Sequence, residues 1–189
     1  MFYRFFRGVA YVAAHILYSF EVTGMENIPE KGPYILCANH VSALDPVVIA
    51  IFMKRQPRIM GKKELFKNRF TNWFFRSLGA FPIDRQGTDM QAFRFTMDLL
   101  GRGHGLMIFS QGTRTKDFDG AKSGVALFGL KSGAPIIPAG IMGSFRFRSK
   151  ITIQVGKPIS MEEYKGQKVK TELVDEVMGI VVKSVLALT

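Results

Sequence analysis

Phe2, Phe5, Phe6, Val9, Val12, Ala13, Ile16, Leu17 and Phe20 recur every three or four residues at the start of the chain, the spacing of one apolar helical face. Arg4, Arg7, Tyr11 and His15 fall away from that face. At about 1.5 Å per residue, such a helix runs roughly 27 to 30 Å and could just reach across hydrocarbon. Arg4, Arg7 and His15 argue instead for a helix lying in a membrane interface. No small-residue cleavage site follows it, so the segment is not read as a signal peptide.

Further along, short apolar runs alternate with longer stretches of helical period. Strands are predicted at Phe20 to Thr23, Tyr34 to Ala38, Arg58 to Gly61, Ala80 to Asp84, Leu106 to Phe109, Pro135 to Ile141 and Lys150 to Val155. Helices are predicted at Ala43 to Lys54, Glu64 to Leu78, Thr88 to Arg102, Ala121 to Ser132 and Val169 to Leu188. This alternation predicts an α/β fold: one sandwich domain, residues 21–189, with a mixed, largely parallel central sheet flanked by helices. Residues 1–20 form the membrane-anchoring amphipathic helix ahead of it. No linker or repeat interrupts the pattern.

Charge sharpens the picture. The 189 residues carry 26 Lys and Arg against 15 Asp and Glu, a net charge of +11 with 47% hydrophobic residues. That excess needs anionic company: nucleic acid, phospholipid or an acidic carrier protein. The basic residues are interleaved with large apolar ones. Lys54, Arg55, Arg58, Lys62, Lys63, Lys67, Arg69 and Arg76 stand against the single acid Glu64 in a stretch that also holds Phe66, Phe70, Trp73, Phe74 and Phe75. At helical spacing, Phe66, Phe70, Trp73 and Phe74 share a face with cations beside it. An interfacial helix on anionic lipid needs this arrangement, although the same aromatics would also serve a core. Nucleic acid is therefore not the expected partner. The one cysteine excludes an internal disulfide and agrees with a reducing compartment.

The candidate chemistry begins at Asn39-His40-Val41-Ser42-Ala43-Leu44-Asp45, where an apolar strand gives way to a helix. Imidazole is well suited to removing a proton near neutral pH, and a nearby carboxylate can fix its tautomer. A plainer reading makes Ser42 and Asp45 a capping-box-like helix start, with Pro46 in the first turn. No G-x-S-x-G occurs, and Cys37 lies inside the apolar run. A base acting directly on a substrate hydroxyl thus fits better than a covalent triad. His15, His40 and His104 lack metal-ligand spacing, and no G-x4-G-K-[ST] occurs.

Two further segments add weight. Gly79-Ala80-Phe81-Pro82-Ile83-Asp84-Arg85 is a short apolar strand ending in a charged residue, and Phe109-Ser110-Gln111-Gly112-Thr113-Arg114-Thr115 follows the apolar strand Leu106 to Phe109 and turns on a glycine. Arg85 and Arg114 emerge just beyond those strands, where open α/β sheets place their ligand crevice. Two guanidinium forks beside a Gly-Thr turn suit a phosphate, since they bind its oxygens bidentately while glycine lets backbone N–H groups approach.

Together these segments resemble the 1-acylglycerol-3-phosphate acyltransferase family, the bacterial lysophosphatidate acyltransferases of the PlsC type. The resemblance runs from about Gly24 to Ile159. Its NH-x4-D block is matched by His40 and Asp45, and its P-I-x-R block by Pro82, Ile83 and Arg85. An apolar block around a proline is matched by Ile136 to Ile141. The family's F-P-E-G-T-R-S reads FSQGTRT here, so Ser110 and Gln111 stand where proline and glutamate are usual.

The resemblance implies transfer of an acyl group from acyl-CoA or acyl carrier protein to the sn-2 hydroxyl of lysophosphatidate, giving phosphatidate. His40 would be the base and Asp45 its support. Arg85, Gly112, Thr113 and Arg114 would hold the acceptor phosphate, with Gln111 positioning the acceptor. No cofactor or metal is implied. The expected location is the cytoplasmic face of the cell membrane, peripheral or monotopic, with Phe2, Phe5, Phe6, Phe66, Phe70 and Trp73 against lipid. Two alternatives are a homologue weakened or inactivated by loss of the glutamate charge, and a lipid hydrolase using the same His/Asp pair on water.

Overall fold

A computed structural model describes residues 2–83, 90–109 and 124–189. Seven strands, β1 (Ser19–Thr23), β2 (Tyr34–Ala38), β3 (Arg58–Lys62), β4 (Ala80–Ile83), β5 (Gly105–Phe109), β6 (Ile136–Gly143) and β7 (Lys150–Val155), form one sheet in the order β1-β7-β6-β2-β5-β3-β4. From β6 through β4 neighbouring strands are parallel, while β7 runs antiparallel to β6 and β1 parallel to β7. The mixed, largely parallel sheet expected from the alternation is therefore present. β2 is buried throughout, as suits a parallel strand covered on both faces. Its side chains alternate between two cores. Ile35 and Cys37 pack with residues of α4 (Met90–Gly101), α5 (Gly124–Ser132) and α6 (Thr171–Leu186). Tyr34, Leu36 and Ala38 pack with Val48 and Ile49 of α2 (Asp45–Phe52).

The first helix, α1 (Phe2–Leu17), lies over α2 with Tyr3 and Arg7 turned toward the carboxyl end of that helix. Tyr3 Oη donates to Ala50 O at 3.4 Å, the Arg7 guanidinium donates to Met53 O, and the Tyr11 and His15 rings lie on Phe52. The final carbonyls of a helix lack intrahelical donors and carry partial negative charge, so they draw in the hydroxyl and the cation. The consequence is that Phe5, Val9, Val12 and Ile16 are left exposed, at 66%, 52%, 59% and 67%.

The helix expected over Glu64 to Leu78 is divided. A 3₁₀ turn spans Lys63–Phe66, and α3 (Arg69–Ser77) starts afresh. Asn68 makes the break by accepting the Thr71 N–H on Oδ1 at 2.7 Å, an N-cap that satisfies an otherwise orphaned donor. Phe66 consequently leaves the face of Phe70 and Trp73 and packs against Phe75 and beneath Arg76. Phe2 and Phe6 are half-buried against Trp73 and Phe74, joining the start of α1 to α3.

At the amino edge of the sheet, Arg55 lies over the Tyr34 ring and donates to the carbonyls of Gly32 and Gly103. The glycine at 105 is required by close approach, because a Cβ there would fall 2.0 Å from the Tyr34 ring. Burial pushes the Tyr34 hydroxyl up to about 12, the nearby Arg55 opposing the shift.

Candidate active site

The site forms where β2 ends. β2 pairs with β6 as far as Ala38 and Ala139, and the buried Asn39 side chain then extends the ladder. Its Nδ2 donates to Ile141 O at 2.8 Å, and its Oδ1 accepts the Ile141 N–H at 2.7 Å. A side-chain amide that mimics a backbone rung lets the main chain leave the sheet without stranding the groups of β6. His40 is the first residue on that new path.

Asp45 is fully buried and opens α2. Its Oδ2 accepts the N–H groups of Val41 and Ser42, each at 2.7 Å, and lies 2.8 Å from His40 Nδ1. The two backbone donors hold the carboxylate inside the loop and stabilise its charge. Ser42 Oγ accepts the Leu44 N–H at 3.2 Å and completes the turn. The carboxylate is therefore more than a helix-starting group, since it ties loop and imidazole together.

With Nδ1–H donating to Asp45, His40 Nε2 is left as the acceptor, and the side chain retains 20% exposure. The Phe109 ring, at the end of β5, lies against the imidazole with centroids 4.7 Å apart. Register brings it there, because Ala38 pairs with Phe109. The two rings are tilted by 35° to one another. Cys37 is completely buried within β2 and packs in the core, so it offers no accessible thiol nucleophile.

Arg85, Gln111, Gly112, Thr113 and Arg114 lie outside the described residues. The strands leading to them end on the same carboxyl edge as His40, β5 adjacent to β2 and β4 beyond β3. Reading the sequence missed Asn39 and Phe109 as site residues. The signal for Asn39 was an amide directly following an entirely apolar strand; Phe109 could be found only from strand order. His104 sits just before β5, at the opposite edge. Its imidazole is held below its usual value, first by desolvation and then by Arg58, Arg55 and Arg102.

A cavity of about 390 Å³ lies beside β4, between α3 and α4. Phe81, Ile83 and Phe95 supply apolar walls, and Lys63, Arg76 and Gln91 the polar groups. His40 is not among the residues that line it, and two strands intervene between β4 and β2.

The fold and the site together define an α/β protein that carries an imidazole, oriented by a buried carboxylate, at the carboxyl edge of a largely parallel sheet. The Acyltransferase family model matches residues 19–142, and the chain belongs to that family. It is 31% identical over 177 residues to the 1-acyl-sn-glycerol-3-phosphate acyltransferase of Streptococcus pneumoniae, covering 87% of this chain and 65% of that protein. A protein of the same name from Bacillus subtilis is 25% identical over 86% of this chain and 84% of its own length. Among solved structures, the PlsC 1-acyl-sn-glycerophosphate acyltransferase of Thermotoga maritima superposes with a TM-score of 0.75 at 25% identity. That match covers 98% of this chain and 79% of the other.

Proposed function

We propose that this protein transfers an acyl group from a thioester, acyl-CoA or acyl carrier protein, to the sn-2 hydroxyl of lysophosphatidate, forming phosphatidate. What carries the reading is the His40–Asp45 pair, in which Nδ1–H donates to Asp45 and Nε2 is the nitrogen left to accept a proton. His40 Nε2 takes the hydroxyl proton as that oxygen attacks the thioester carbonyl. Asp45 stabilises the resulting imidazolium. Collapse of the tetrahedral intermediate breaks the C–S bond, and the imidazolium returns the proton to the departing thiolate. The chain thus uses no acyl-enzyme. Arg85 and Arg114, with Gly112 and Thr113, hold the acceptor phosphate, and Gln111 positions the acceptor.

The protein works from the membrane surface, on the cytoplasmic face. Among the described residues no helix is long and apolar enough to cross a membrane, while the exposed Phe5, Phe70 and Trp73 supply apolar contact with lipid. Phe2 packs against Trp73 and Phe6 against Phe5, while Phe66, which meets Phe75, adds to the same aromatic surface.

The test is incubation with detergent-dispersed lysophosphatidate and a long-chain acyl thioester, followed by mass spectrometry for phosphatidate, with His40→Ala alongside. Product that depends on His40 supports the reading; its absence across several donors and lysolipids overturns it. The sequence favours one second reading, a weakened homologue, because Gln111 replaces the usual glutamate. A large gain in rate for Gln111→Glu would support it, and an unchanged rate would dismiss any need for the charge.

A further inference from the structure

We propose that the tip of the β6–β7 hairpin, residues 144–149, is a second membrane-contacting element that seats the protein on anionic lipid from the far end of α1. This rests on the membrane reading given above.

Phe147 is 68% exposed at the tip, between Arg146 and Arg148. The tip is a built turn: Ser149 Oγ donates to the carbonyls of Ser144 and Arg146. It is also joined to α1, because the Arg148 N–H donates to Leu17 O at 2.7 Å and the rings of Tyr18 and Phe145 meet. Arg148 has φ +61°, the only positive φ at a non-glycine among the described residues. Glycine would hold that turn without strain. The chain instead keeps a cation beside an exposed phenylalanine, the pairing that suits an anionic bilayer surface.

Position adds a second argument. The tip continues the apolar surface of α1, where Ile16 and Leu17 are exposed beside it. At the other end of α1, Phe2 meets Trp73 of α3, which is exposed with Phe70. The apolar footprint therefore runs the length of the 16-residue helix, roughly 24 Å. A helix held at one end can pivot on a surface, but one held at both ends lies flat. The tip also extends β6, whose Ile141 is bonded to Asn39, next to His40. Seating the tip accordingly turns the carboxyl edge of the sheet, and His40 with it, toward the lipid.

Trp73 is the chain's single tryptophan, so depth can be read one site at a time. In a Trp73→Phe background, Phe5→Trp reports on α1 and Phe147→Trp on the hairpin, using phosphatidylglycerol vesicles with brominated acyl chains. Quenching at both positions is expected. Quenching from Phe5→Trp without quenching from Phe147→Trp overturns the hairpin's role and leaves the α1 reading intact; quenching at neither position removes both. Arg148→Gly supplies an independent arm. It relieves the backbone while removing the cation, so the melting temperature should hold or rise while binding to phosphatidylglycerol vesicles weakens about fivefold. Undiminished binding would overturn the assigned role of Arg148.

Discussion

In the loop from Asn39 to Asp45 an amide and a carboxylate are buried, with the Asn39 amide and Asp45 Oδ2 hydrogen-bonded, whereas along the outer face of α1 large apolar side chains stand in solvent. The loop inverts the usual distribution by placing a carboxylate inside, and the helix inverts it by placing phenylalanine and isoleucine outside. Each departure from ordinary burial is supported by its neighbours. Two backbone N–H groups and an imidazole hold Asp45, while the terminal carbonyls of α2 hold Tyr3 and Arg7 of α1 inward and leave its apolar stripe outward. The difference teaches that the His40–Asp45 pair is built locally, within seven consecutive residues, while the exposed apolar face of α1 depends on how two helices meet.

The sharpest way to break this comparison is at the loop. His40→Ala should lower the acyl-transfer rate by about 10²- to 10⁴-fold and leave thermal stability nearly unchanged, since the imidazole is partly exposed. Near-parental activity would end the general-base mechanism. Asp45→Asn should cost a comparable rate, because the amide can present a donor to His40 and reverse its tautomer. It should also lower stability by about 1–3 kcal/mol as the Val41 and Ser42 N–H groups lose their charged acceptor. Unchanged denaturant midpoints would show that the carboxylate does not hold the loop.

On the helix, Val9→Asp combined with Ile16→Asp alters two exposed positions and should leave the melting temperature unaltered. Sedimentation with anionic vesicles should weaken on the order of 100-fold, as two apolar side chains lose their contact with lipid. If binding survives, the outward face of α1 is not the contact surface. The smallest expected effect comes from a site belonging to neither region. Tyr34 Oη is buried without a hydrogen-bond partner among the described residues, so Tyr34→Phe should stabilise the protein by about 1 kcal/mol at neutral pH. The folded-state value of about 12 lies above the ordinary 10.0. The Tyr34 contribution is therefore fully present below pH 10 and is lost as pH rises from about 10 to about 12, where the unfolded chain ionises first. The advantage of the phenylalanine variant should widen across that window in denaturant titrations.

Much of the framework could be read along the chain, for reasons visible at particular residues. Tyr34–Ala38 and Lys150–Val155 form strands at the predicted bounds, because a fully apolar run and an alternating run each leave little choice of period. The division at Asn68 was hidden, because the aromatic spacing runs continuously across it and reads as one helix. Strand order was not legible, since nothing local says that Ala38 faces Phe109 or that β1 pairs with β7. The His40–Asp45 pair was legible because its bonds are local. The role of Asn39 was hidden because its partner, Ile141, is remote in sequence. The inward turn of Arg7 depended on the end of another helix.

The pairing of β1 with β7 carries one more consequence, for the order of events during synthesis. Ser19 lies opposite Lys150, so the strand following α1 has no place in the sheet until most of the chain has left the ribosome. At elongation rates of roughly 5–20 residues per second, the interval is on the order of ten seconds. Throughout it, the apolar stripe of α1 is already made while the sheet that positions it is not. The last strand to arrive therefore closes the sheet, and that closing is the step that fixes the place of α1 on the domain.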